Sequence, residues 1–195
     1  MTIVVADISV SLDGFVTGPD AGPDNGLGTG GEPLHTWVLE SDDPLDAEIL
    51  ATSTERTGAV VMGRNLFDVI DAPSGWSDDM GYGAQHAARP PFFVVTHEPP
   101  ADVRLALDFR FVPDVATAIE QAKAVAGDKD VFVMGGGEII RQSVDAGLVD
   151  ELVLHLSPVV LGAGTPLFVD AARRELVQRE VRPSRTAVHL TYDVR

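Results

Sequence analysis

No cysteine occurs in the chain. Its absence excludes disulfides, thiolate metal sites, thiol nucleophiles and the H-x-E with P-C-x-x-C pattern of zinc deaminases. Cations are scarce as well: Lys+Arg number 14 against 30 Asp+Glu, the formal net charge is -16, and the only lysines are Lys123 and Lys129. A field of that sign repels nucleic acid and anionic membranes, so neither is an expected partner. Any bound anion must be held by local groups that outweigh the background. No stretch approaches the roughly 18 uninterrupted apolar residues of a membrane span, and the start "MTIVVADISV" has no basic region and meets Asp7 early. The expectation is a soluble, cytoplasmic protein. His35 and His86 have no second ligand at a recognisable spacing; both read as surface or loop residues, and no metal site is predicted.

What is present is apolar content sufficient for a core, 45 % of 195 residues, which fits one domain spanning 1–195. Ile3 to Val10 is a nearly continuous β-branched run, the pattern of a strand buried on both faces. A Gly/Pro/Asp-rich stretch from Asp13 to Pro33 follows, long enough to be a functional loop or disordered. Asp42, Asp43 and Pro44 open a helix to about Thr57, with Gly58 as its stop. Ala59 to Met62, Pro91 to His97 and Val131 to Met134 read as strands, with an irregular stretch, Asp71 to Pro90, before the second. Asp114 caps a helix to about Ala126, and Glu138 to Ala146 is another, ended by Gly147. From Asp150 onward "ELVLHLSPVVL", Glu175 to Val181 and Thr186 to Val194 are strands without long helices between them. The pattern predicts an α/β fold whose mixed sheet is parallel early and antiparallel late.

Three consecutive glycines, Gly135, Gly136 and Gly137, end the strand "VFVM". A P-loop would need Lys and Ser/Thr where Glu138 and Ile139 stand. A G-x-G-x-x-G fingerprint would need glycine at Ile140 and an earlier place in the chain. What survives is the physics: glycines at a strand end allow positive φ and close approach, and the next helix offers free N–H groups to a phosphate. A tight strand-to-helix turn remains the plain alternative. "VVMGR", Val60 to Arg64, repeats the arrangement with a guanidinium just past Gly63, and "VVTH" closes a third strand with Thr96 and His97. Three such ends on parallel strands suit a long ligand crossing the sheet, and a nucleotide cofactor is the economical candidate.

The segments "ISVSLDGF", "GAVVMGRNLFD", "FFVVTH" and "VFVMGGGEIIRQSVDAGLVDELVLHLSPVVLGAGTPLF", with the closing strands, resemble the dihydrofolate reductase-like family. Within it they are similar to the reductase domain of the bifunctional riboflavin biosynthesis deaminase/reductase. The resemblance covers nearly the whole chain. It implies a three-layer fold with helices on both faces of a mostly parallel sheet and antiparallel C-terminal strands. It also implies a homodimer and a reductase using NADPH on a small pyrimidine- or pterin-like heterocycle or a carbonyl compound. Gly63, Arg64 and Asn65 would hold phosphates, with Arg64, Thr96 and His97 near the adenosine 2′-phosphate, and Gly135, Gly136, Gly137 and Glu138 would lie against the pyrophosphate and nicotinamide. Leu66 stands where the family's G-R-x-T pattern has threonine, and Glu98 where a basic residue would help. A nucleotide-binding dimer that kept the groove without turnover is the alternative.

Hydride transfer to C=N or C=O also needs a proton source. Asp13, before Gly14, is either a site acid or a turn-supporting carboxylate. His155 lies in an apolar strand, where a core role is the commoner reading, and by resemblance it faces the substrate. Trp37 fills the core or, by resemblance, stacks near the substrate. Advancing 100° per residue, Asp46 interrupts the apolar arc of Leu45, Ile49 and Leu50. It is either a desolvated pocket acid, as in dihydrofolate reductases, or a first-turn carboxylate favouring the helix dipole.

Overall fold

The structure, a computed structural model, describes residues 2–86 and 89–195. In chain order its strands are β1 (Val4–Ser11), β2 (Phe15–Thr17), β3 (Thr57–Gly63), β4 (Phe92–Val95), β5 (Phe109–Val112), β6 (Asp130–Gly135), β7 (Glu151–Ser157), β8 (Thr165–Pro166), β9 (Leu176–Pro183) and β10 (Val188–Val194). The helices are α1 (Thr36–Leu39), α2 (Pro44–Arg56), α3 (Arg64–Asp71), α4 (Val115–Val125) and α5 (Gly137–Asp145), with a 3-10 turn, Glu32–His35, before α1. Eight strands form one sheet in the order β5-β4-β3-β6-β1-β7-β10-β9, while β2 and β8 pair separately. Pairs from β5 to β7 are parallel and the β7-β10-β9 pairs antiparallel, as the change of pattern after Asp150 predicts.

Strand alternation assigns the faces. Ala59 and Val61 of β3 join the α4 and α5 side chains in the largest core, with Ile119, Ile140 and Val144. Val60 and Met62 turn the other way onto Phe67 and Ile70 of α3. A third, smaller cluster places Trp37 and Ile49, from α1 and α2, against Ala187. Helices therefore cover both faces.

Several expectations need correction. Gly58 does not stop α2; it lies inside β3, where a Cβ would stand 2.5 Å from the Ala126 carbonyl oxygen, so the close approach of α4 is what needs glycine. The "PVVL" segment is not part of β7, which ends at Ser157, and the Asp13–Pro33 stretch contains β2 and the start of the 3-10 turn, with backbone bonds such as Gly18 N to the Leu27 carbonyl and Thr29 N to the Pro19 carbonyl between them. Strand β5 at the sheet edge and helix α1 add elements with too few residues for periodicity to announce. The irregular stretch before β4 begins on the last residue of α3, Asp71, and holds no further strand or helix among its described residues; positions 87 and 88 lie outside them. Among the described residues no helix is long and apolar enough to cross a membrane, and no group of acids and histidines is arranged to hold a metal ion.

Candidate active site

Two regions carry the side chains that the sequence singles out. The first is the edge formed by the carboxyl ends of the adjacent strands β4, β3 and β6. Gly63 closes β3 and precedes α3, Thr96 and His97 follow β4, and Gly135 closes β6 ahead of α5. Of the helices that start elsewhere, the two long ones are capped by side chains, Asp43 accepting from Leu45 N in α2 and Asp114 from Thr117 N in α4, whereas the single-turn α1 is not. Gly63 and Gly136, which cap α3 and α5, provide no side chain. Two helix starts on neighbouring strands are thus left without an internal acceptor, the condition under which backbone N–H groups favour an anion.

The glycines divide the work. The positive φ belongs to Gly135, at +110°, and not to Gly136, whose φ of -63° and ψ of -173° any residue adopts. A Cβ on Gly63 would meet Ile139 Cγ1 at 2.7 Å, and one on Gly137 would meet Val16 Cγ2 at 3.1 Å, whereas nothing lies within 4 Å of a Cβ at Gly136. Gly63 and Gly137 are therefore needed for packing, while Gly136 alone borders open space.

Arg64 is half-exposed and already engaged. Its Nε donates to Asp68 at 2.6 Å and its Nη1 to the Glu98 carbonyl. Glu98 enters through its backbone, which also bonds Thr96 Oγ1. Leu66, where threonine would give a hydroxyl, packs instead on the Phe67 cluster. Glu138 is bound by Arg141 and Gln142, contacts that lower its pKa, Arg141 foremost. Asn65 and His97 are exposed.

The second region lies under α2. Asp46 is only 1 % exposed and its carboxylate accepts from Ser41 Oγ and from Thr186 Oγ1 at 2.6 Å, and bonds His189 Nε2 at 2.8 Å. Burial pushes its pKa up, but the bonds from Ser41, Thr186, Ser184 and His189 outweigh it and hold the group at about 2. From His189 the chain of bonds continues: Nδ1 to His155 Nδ1 at 2.7 Å, then His155 Nε2 to Asp7 Oδ1 at 2.9 Å. Ser53 Oγ stands 3.5 Å from Asp7 Oδ2. Trp37 covers the pair, its ring centroid 4.0 Å from that of His155, and its Nε1 donates to Ser9 Oγ at 2.9 Å.

Of the proton-side candidates, Asp46 and His155 thus meet in one network with Trp37. Asp46 stands in the first turn of α2 behind the N-cap Asp43, as its plain reading has it, and it is at the same time buried and hydrogen-bonded, so it is not an uncompensated pocket acid. Asp13 lies elsewhere: its carboxylate accepts from Ser11 Oγ, Leu161 N and Gly162 N, and Ser11 foremost, with those backbone groups, lowers it to about 2. That is the turn-supporting arrangement. His35 is not a surface residue: it is half-buried, and burial first and the charge of His155 second lower its pKa. Asp7 and His189 were not anticipated. The available signal was an acid inside the apolar run of β1 and a second Leu-flanked histidine, "VHL", echoing "LHL". Beside this network, α2, β7, β9 and β10 enclose a cavity of about 400 Å³ lined by Ser53, Arg56, Glu151, Arg179, Arg182 and His189, among others. Its arginines are paired with acids: Arg56 and Arg179 with Glu151, Arg182 with Glu48.

A mixed sheet of this order, with antiparallel closing strands and uncapped helices at its central strand ends, defines a dihydrofolate reductase-like α/β protein. The chain belongs to the RibD C-terminal domain family, whose model matches residues 2–190. It is 25 % identical over 176 residues to the uncharacterized protein YyaP of Bacillus subtilis (strain 168), covering 88 % of this chain and 82 % of that one. The fold is shared with a putative riboflavin biosynthesis protein from Shewanella sp. PV-4 (TM-score 0.71, 21 % identity, 100 % and 99 % of the two chains). It is shared also with a pyrimidine reductase-like protein from Corynebacterium diphtheriae (0.64, 15 %, 99 % and 92 %) and with the riboflavin biosynthesis reductase Rib7 of Saccharomyces cerevisiae (0.59, 15 %, 100 % and 89 %).

Proposed function

We propose that the protein is an NADPH-dependent reductase that transfers hydride to the C=N or C=O bond of a small pyrimidine- or pterin-like heterocycle or carbonyl compound, in the manner of 5-amino-6-(5-phosphoribosylamino)uracil reductase. The observation that carries this reading is the placing of two helix starts without side-chain caps, those of α3 and α5, at the ends of neighbouring strands beside Arg64, Thr96 and the open side of Gly136. Gly63, Arg64, Asn65 and Gly135 to Glu138 would hold the cofactor's phosphates, with Arg64, Thr96 and His97 toward the 2′-phosphate. Bound there, NADPH supplies the hydride. On the substrate side, Trp37, His155 and Asp46 hold the network from which the proton comes. The test is NADPH oxidation over a panel of aminopyrimidines, pterins and small carbonyl compounds. Quenching of NADPH fluorescence without oxidation of any of them would instead support a nucleotide-binding protein without turnover.

Arg64→Ala is expected to reduce the preference for NADPH over NADH by about tenfold in calorimetry. A charge-assisted bond to phosphate contributes about 1.5 to 3 kcal/mol, and the existing pair with Asp68 offsets part of it. By the same logic Asp68→Asn frees the guanidinium and raises NADPH affinity. An unchanged preference in Arg64→Ala would place the 2′-phosphate elsewhere.

We also propose that the chain forms a homodimer through the face carrying Leu12 and Val160, exposed at 65 % and 66 %, with Phe168 and Val169 beside them. Bonds from Leu12 N to the Val159 carbonyl and from Leu167 N to the Gly14 carbonyl draw these segments together. An apolar patch of this kind on a strongly acidic chain is what an interface covers. In sedimentation equilibrium Val160→Asp is expected to shift the dimer toward monomer; a parent chain that is monomeric throughout would reject the pairing.

A further inference from the structure

The bonds linking Asp46, His189, His155 and Asp7 have a countable proton content. Each of the three gaps, 2.8, 2.7 and 2.9 Å wide, needs one proton and one lone pair. Two neutral imidazoles bring two N–H groups and two carboxylates bring none. With two protons, one gap would hold lone pairs facing each other in a buried site. Three protons fill all three, and where both carboxylates stay ionised the third makes one ring an imidazolium.

Geometry identifies the ring. Asp46 is ionised and already receives Ser41 and Thr186, so His189 Nε2–H completes its set. The Trp37 ring stacks over His155, with centroids 4.0 Å apart and planes 34° apart, but meets His189 edge-on at 5.2 Å, so His155 is the ring placed to carry the charge; burial, which lowers the pKa of His189, acts in the same direction, and His189 Nδ1 accepts from His155 Nδ1–H. His155 then donates from both nitrogens. Its surroundings suit a cation: Asp7 at one end, the Trp37 face 4.0 Å away, and His35 kept neutral by burial and by His155 itself. Tyr82 faces Asp7 from the α3–β4 connection, its hydroxyl bonded to Thr57 and held protonated by burial and by that carboxylate.

We propose that this chain of four side chains is a proton store, with His155 a buried imidazolium at neutral pH and Asp7 its outlet. Asp7 is the most exposed member, its side chain 16 % exposed against 1 % for His155 and Asp46 and 4 % for His189. A reduced nicotinamide held at the strand-end groove would supply the hydride for a new C–H bond, and the substrate heteroatom that takes the C=N or C=O π pair would then need a proton. The proton leaves His155 Nε2, passes through Asp7 and forms the N–H or O–H bond. The oxidised cofactor would carry away the balancing charge, both imidazole rings end neutral, and solvent reloads the store. The delivery step rests on the reductase reading; the charge of His155 does not.

The deciding experiment is nitrogen-15 NMR of the histidine rings in the free protein. The parent is expected to show His155 protonated on both nitrogens through neutral pH. In Asp7→Asn the amide can donate to His155 Nε2, so all three gaps fill with both rings neutral and the imidazolium signal disappears while the melting curve stays cooperative. Asp46→Asn reaches the same neutral pair from the other end and serves if Asp7→Asn fails to fold. A singly protonated His155 in the parent, or an imidazolium that persists in a folded variant, overturns the proposal. With an oxidising substrate in hand, Asp7→Asn should lose about a hundredfold in kcat at unchanged KM for NADPH; unchanged kcat rejects Asp7 as the outlet. A parent that oxidises no substrate tells against the reductase reading instead, and the ring measurement decides the store on its own.

Discussion

Gly136→Val is expected to fold like the parent and to bind NADPH up to about a hundredfold more weakly. The backbone at Gly136 is extended, with φ -63° and ψ -173°, so valine adopts it without strain, and the space around its Cβ is empty to 4 Å. A branched side chain in that space displaces whatever lies against the start of α5. Overpacking of a fitted contact costs about 1 to 3 kcal/mol, and its upper end corresponds to roughly a hundredfold in Kd. Gly135→Val is the contrasting variant. There φ is +110°, a conformation that side-chain-bearing residues rarely take, so the loss falls on stability. Circular dichroism melts and NADPH titration separate the two effects: a folded Gly136→Val with parental affinity would show that the open side of the glycine does not face the cofactor.

Asp46→Asn is expected to destabilise the cofactor-free protein by about 2 kcal/mol at neutral pH. The folded carboxylate is held at about 2 against a usual 3.8, and a difference of that size is worth about 2 kcal/mol. The sign follows from the direction of the shift. A depressed folded value contributes stability that is complete above the ordinary carboxylate range and is lost as pH falls toward about 2. The parent should therefore lose its advantage over Asp46→Asn on acidification, and the two urea midpoints should converge. Were the buried acid an unrelieved burden, removing its charge would hold or raise stability. The bonds from Ser41, Thr186 and His189 make that outcome unexpected, and a variant as stable as the parent would show that they do not favour the charged form.

Much of the fold follows from local pattern. The β-branched run of β1, the acids Asp43 and Asp114 ahead of their helices, and the glycine after α5 act within a few residues of themselves. Periodicity and capping chemistry therefore locate these elements without reference to the rest of the chain. Net charge and the absence of cysteine likewise exclude partners and chemistries irrespective of folding. The strand-end glycines were legible as a group, but which of them bends, which packs and which borders open space depends on Ile139 and Val16, residues whose positions the sheet order sets. The network under α2 was legible only in part. Asp46 stands out by breaking an apolar helix face, and His155 by interrupting an apolar strand. Their partners Asp7 and His189 lie 148 residues from His155 and 143 from Asp46 along the chain. Residues so far apart meet because β7 pairs with β1 on one side and β10 on the other, in a register that sets His155 opposite both Ser9 and His189, with Asp7 one pleat from Ser9 on the same face. A one-residue slip in either pairing would send these side chains to opposite faces, so strand register, a tertiary quantity, decides whether the four groups form a proton chain at all.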